Sequence, residues 1–134
     1  MPISIIIFLA SVAMSTPTAL STTTQLEHKS PQTLNQYVNE YFQETPVLAD
    51  IAWCESRMRH IDASTGKVIR GTVDSDDTGI MQINTRYHGA EAEKLGLDIK
   101  TLSGNLEYAK YLYDKEGTKP WKSSKACWGH LASK

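Results

Sequence analysis

The chain has 134 residues, a formal net charge of −1, 40% hydrophobic and 22% charged residues. That size suits one domain with a single modest core, and no repeat or low-complexity tract divides it. The near-neutral balance lacks the basic excess of a nucleic-acid or membrane-surface binder, so neither partner class is expected.

In chain order, residues 3 to 14 form an uncharged apolar run too short to cross a bilayer comfortably. Small residues follow, and Ser11-Val12-Ala13 or Pro17-Thr18-Ala19 offers a cleavage site. The pattern resembles a signal peptide over 1–20, although no Lys or Arg precedes the apolar run; an uncleaved form would act as an N-terminal anchor. Residues 21–30, rich in Ser and Thr, read as a linker, and 31–134 as the folded domain. No second hydrophobic span occurs. A secreted or cell-envelope location is therefore expected, with membrane contact only through an uncleaved leader.

Ser30-Pro31 reads as a helix start, and Leu34, Tyr37, Val38, Tyr41 and Phe42 mark the apolar stripe that follows. Thr45-Pro46 opens a second helix, with Thr45 able to cap and Pro46 suited to its first position. From Ile61 to Val73 the helical period disappears. The Ser64-Thr65-Gly66-Lys67 turn between Ile61 and Val68-Ile69 suggests a small hairpin. A polar loop, Asp74 to Gly79, comes next. Helices are expected over Ala90 to Leu95 and Ser103 to Glu116, the latter stopped by Gly117. Ser123 or Ser124 then caps a last turn holding Cys127 and Trp128. The fold class is α+β, mostly helical, with a small β-hairpin insert.

Within the second helix Leu48, Ile51, Ala52 and Glu55 recur at helical spacing, so a carboxylate shares a face with an apolar stripe. Burial disfavours a charged carboxylate and raises its pKa, as a general acid near neutral pH requires. The plain alternative has Glu55 in a frayed last turn, meeting solvent, Arg57 or Arg59. The only two cysteines, Cys54 and Cys127, are expected to pair in an exported chain; two buried free thiols are the alternative. The histidines (His28, His60, His88, His130) are scattered and lack ligand spacing, so no metal and no cofactor are expected.

After the polar loop comes Gly79-Ile80-Met81-Gln82-Ile83-Asn84. Taken with Glu55-Ser56 upstream and Asn105-Leu106, Ala109 and Tyr111-Leu112 downstream, it resembles the soluble lytic transglycosylase and goose-type lysozyme superfamily over about residues 45 to 129. The family motif Gly-Leu-Met-Gln carries Ile80 here in place of Leu. The resemblance implies a lysozyme-like fold and cleavage of the β-1,4 bond between N-acetylmuramic acid (MurNAc) and N-acetylglucosamine (GlcNAc) in peptidoglycan glycan strands. Glu55 would be the single acid and base, leaving a 1,6-anhydro sugar. Ser56, Met81, Gln82 and Asn84 would line the substrate groove, supported by Asn105 and Tyr111. A monomer is expected.

Two departures from the family pattern stand out. A tyrosine of the family's Ala-Tyr-Asn ending contacts the catalytic glutamate; this chain has Ala126-Cys127-Trp128, so either Trp128 or another tyrosine such as Tyr108 fills that place or the site is tuned differently. Asp74, Asp76 and Asp77 precede the amide-rich motif. Asp76 or Asp77 as a second carboxylate would activate water and make the enzyme a hydrolytic lysozyme; a solvated acidic turn is the plain reading. The same run starts like a calcium loop, but Thr85 stands where a bidentate Glu is needed. A wall-binding module without turnover is the third reading, with Trp53, Trp121 and Trp128 stacking on sugars or simply filling the core.

Overall fold

The computed structural model describes residues 32–133. The leader at 1–20, the linker at 21–30 and the Ser30-Pro31 start lie outside the described residues. Among those described, five α-helices, a short 3₁₀ segment and a two-stranded antiparallel sheet follow one another. The α+β, mostly helical class therefore holds. None of these helices is long and apolar enough to cross a membrane.

Helix α1, Leu34–Tyr41, starts at Thr33, whose side chain accepts from the Gln36 N–H while Gln36 reaches back to the Thr33 N–H. Such a reciprocal cap satisfies two backbone donors that a helix start would leave open. Helix α2, Val47–Ser56, does not use Thr45 as its side-chain cap. The Thr45 carbonyl accepts from the Leu48 N–H, and the Thr45 hydroxyl is buried with no hydrogen-bond partner. Pro46 already has helical φ and ψ, so the chain coils one residue too early for the hydroxyl to reach the first free N–H groups.

Half of helix α2 is buried. Leu48, Ala49, Ile51 and Ala52 are buried, as are Ile80, Met81, Leu106 and Trp121 from later elements. A ten-residue helix is marginal in water by itself. Burial at about 1.5–3 kcal/mol per large apolar side chain holds it in place. The helix ends abruptly: Arg57 and Met58 both have φ of 56°. Two consecutive side-chain-bearing residues in the left-handed region are costly, at about 1–2 kcal/mol each. They turn the chain sharply just past Glu55.

The expected turn at 62–67 is present, but it closes a single bridge, Ile61 to Val68, rather than a hairpin of strands. Asp62 explains the tight turn, its carboxylate accepting from the Ser64 and Thr65 N–H groups. The regular pair forms further on, between β1, Asp77–Thr78, and β2, Ile83–Asn84. Helix α3, Thr85–Lys94, begins earlier than its apolar pattern suggests because the Asn84 side chain caps it. Helix α4, Leu102–Glu116, is capped by Thr101 and stopped by Gly117 at φ 64°. The 3₁₀ segment Lys119–Ser124 leads into α5, Lys125–Leu131, for which Ser124 supplies no side-chain cap.

Cys54 and Cys127 form a disulfide that ties α5 to α2. Converting both cysteines to serine is expected to lower the unfolding free energy by about 4 kcal/mol in the chain-entropy model. A urea denaturation midpoint that hardly moves would refute that account.

Candidate active site

Glu55 lies in the last turn of α2, half-buried, with Ser124 donating its hydroxyl to the carboxylate at 2.6 Å. The frayed alternative does not occur. Arg57 lies over the Trp53 ring, and Arg59 donates to the Ser56 carbonyl. Burial pushes the Glu55 pKa up, the Ser124 hydrogen bond pulls it down, and the negative charge of Asp77 adds to the rise. The net direction is upward, so the carboxyl keeps its proton to higher pH than a glutamate in water. In a carboxyl-carbon NMR titration, Ser124→Ala is expected to move the Glu55 midpoint further up and Asp77→Asn to move it down. If neither variant shifts the midpoint, these contacts do not set it.

Two open hollows meet at Glu55 and Gln82, which line both. The first, about 450 Å³, runs past Ser56, Arg59, Lys67 and Arg70. The second, about 250 Å³, runs past Asp77, Asn84, Tyr87, His88 and Trp121. Tyr87 is 72% exposed and presents an aromatic face at this second hollow. His88 lies nearby with Nδ1 3.2 Å from the Tyr108 hydroxyl, and burial holds its pKa below the usual imidazole value. A separate groove along α3, lined by Gly89, Leu97 and Ile99, is of similar size, but its acids Glu93 and Asp98 are exposed.

A buried set of hydrogen bonds frames the cleft. Asn105 is fully buried; its Oδ1 accepts from the Met81 N–H, and its Nδ2 donates to the carbonyls of Thr78 and Ile99. His60 is buried beside it. Its Nδ1 accepts from the Ile80 N–H, so Nε2 carries the proton and donates to the Lys100 carbonyl at 2.9 Å. Gly79 sits between the two side chains at φ 73°, where an added Cβ would lie 2.6 Å from Asn105 Nδ2 and 2.7 Å from the His60 ring. Only glycine fits both that conformation and that space. The turn delivers Gln82 to the cleft at φ 50°. Left-handed geometry at Arg57, Met58 and Gln82 thus clusters around Glu55, a concentration of strain common at working sites.

Of the residues singled out from sequence, Glu55, Ser56, Gln82, Asn84 and Asp77 line the cleft. Ser56 has its hydroxyl committed, donating to the Ala52 carbonyl and accepting from the Arg59 N–H. Asn84 is likewise occupied: its Oδ1 caps α3 and its Nδ2 donates to Asp74 and Asp77. Met81 and Asn105 are core residues, with no exposed surface to offer a ligand. Tyr111 donates its hydroxyl to Glu91 and lines neither hollow. Asp76 is ion-paired with Arg86 at 2.5 Å and is likewise absent from both linings. Neither candidate for the family tyrosine is hydrogen-bonded to Glu55. The Tyr108 hydroxyl meets His88, and Trp128 donates to the Trp121 carbonyl.

Family models, curated proteins and solved structures yield no match to this chain. Among the described residues no group of three or more His, Cys, Asp or Glu side chains is arranged to hold a metal ion. Ser124 is the partner that sequence reasoning missed, since it reads as a helix cap. The available signal was the cysteine pairing, which draws the residue three before Cys127 toward the residue after Cys54.

Proposed function

We propose that this chain is a peptidoglycan-cleaving enzyme of lysozyme-like fold, a lytic transglycosylase in which Glu55 is both acid and base. The observation that carries the reading is a half-buried carboxyl with a raised pKa at the junction of two hollows. An open groove suits a polymer that enters on one side of the reacting group and leaves on the other. The protonated Glu55 gives its proton to the glycosidic oxygen as the C1–O bond breaks. The resulting carboxylate then takes the proton of the C6 hydroxyl, whose oxygen bonds to C1 and closes the 1,6-anhydro ring without consuming water. Ser124 steadies the carboxylate between the two steps, and Gln82 and Tyr87 offer the sugar an amide and an aromatic face. A glycan substrate, a secreted or envelope location and a monomeric state belong to the same proposal.

Asp77 favours a second reading. It lines the hollow with Glu55 and raises its pKa. A carboxylate so placed would activate water and yield a hydrolytic lysozyme. Mass analysis of digested peptidoglycan separates the two: anhydro-muramyl ends support the transglycosylase, and free reducing ends the hydrolase. Intact glycan after prolonged incubation would sink both and leave a wall-binding module.

A further inference from the structure

The two hollows that meet at Glu55 differ in charge. Arg59, Lys67 and Arg70 line the first, and among the described residues none of the three is ion-paired. The one other acid there besides Glu55 is Asp62, and its Oδ1 is turned into its own loop. That oxygen accepts from the N–H groups and hydroxyls of Ser64 and Thr65, which hold the Asp62 pKa down to about 2. Three cations therefore share the hollow with Glu55 and with one further carboxylate, Asp62, whose Oδ1 is engaged in its own loop. Both arginines are also held in place by a single donor each. The Arg59 Nε–H is given to the Ser56 carbonyl at 3.0 Å and an Arg70 N–H to the hydroxyl of the buried Thr78. The remaining donors of each planar fork are left for a ligand, and that fork matches a carboxylate in two-point geometry. The second hollow has Asp77 and no Lys or Arg in its lining, so it would repel the same group.

We propose that the hollow lined by Arg59, Lys67 and Arg70 is a carboxylate-binding subsite that seats an acidic group carried by the glycan beside the bond to be cleaved. This inference rests on the glycosidase reading of Glu55. Two sources supply such a group: the lactyl carboxylate of an unsubstituted muramic acid, and the acidic residues of a peptide attached to it. The unequal charge of the two halves then fixes the direction in which the strand lies across Glu55, because reversing it would bring the carboxylate against Asp77.

Glu55→Gln, titrated with three oligosaccharides while tryptophan fluorescence is followed, tests the subsite. The ligands are a GlcNAc oligomer without carboxylates, a GlcNAc–MurNAc oligomer with free lactyl carboxylates, and the same oligomer bearing stem peptides. At low salt at least one carboxylate-bearing ligand is expected to bind about tenfold or more tightly than the uncharged one, with the gap shrinking as salt rises. The tighter of the two identifies the source. Adding Arg59→Gln and Lys67→Gln should close the gap. Equal dissociation constants for all three ligands, no binding of any, or a gap indifferent to salt and to both replacements would overturn the subsite. Turnover by the native chain is followed in parallel. Cleavage with charge-blind binding removes the subsite alone; charge-graded binding without cleavage keeps the subsite and removes Glu55 as a catalyst.

Discussion

Glu55→Gln is expected to slow the clearing of a peptidoglycan suspension by about 10²–10⁴-fold, the usual worth of a positioned general acid. Glutamine keeps the size of the side chain, and its Oε1 can still accept from Ser124, but it has no proton to give. The same variant carries a stability signature with a defined sign. The folded pKa of Glu55 lies above its ordinary value, so the folded state holds this proton more tightly than the unfolded chain does. Stability from this group is therefore present in acid and falls as pH climbs through the raised pKa. Glutamine escapes that loss. The melting temperature of Glu55→Gln should match or exceed that of the native chain at neutral pH, and the gain should vanish in acid. Clearing by the variant at near-native speed would remove Glu55 from the mechanism, and a lower melting temperature at neutral pH would contradict its burial.

Asn105→Ala should cost about 3–5 kcal/mol of stability. The change strands the Met81 N–H and the carbonyls of Thr78 and Ile99 in the interior and opens a cavity as well. Asn105→Asp preserves the shape but loses both amide donors. A buried carboxylate at that position would need to stay protonated, so this variant should regain stability as pH is lowered. Urea denaturation of the two variants at neutral and acid pH measures both effects. A loss below about 1 kcal/mol for Asn105→Ala would show that the amide does not hold the turn in place. Because that turn carries Gln82 into the cleft, activity should fall in step with stability.

The parts of this architecture that rest on short-range patterns were legible in the sequence. The α2 stripe with Glu55 on its apolar side and the stop at Gly117 are examples, while the cysteine pairing, 73 residues apart, was legible because the sequence has only two cysteines. What eluded the sequence was the direction of polar side chains. An asparagine offers the same donors and acceptor to a sugar outside as to a backbone inside, and Asn105 uses all of them inward. Met81 likewise turns into the core, while its backbone carbonyl accepts from Trp121. Ser124 and Thr33 show a second limit. Several hydroxyls near each helix start can cap, and the backbone path, set by packing, selects among them. The hairpin expected at 61–69 shrank to one bridge because Asp62 gathers the turn around its own carboxylate, and the regular pairing passed to 77–84.

Ser124 and Glu55 are 69 residues apart in the chain, and the covalent link beside them spans 73. Loops of that length close slowly, since their entropy must be lost before any contact rewards it. The helix that bears Glu55 is made well before the hydroxyl that donates to it, which arrives only with the segment leading into α5. A polypeptide that stops short of that segment therefore lacks the Ser124 contact, and the surroundings of Glu55 are completed as a late step of maturation.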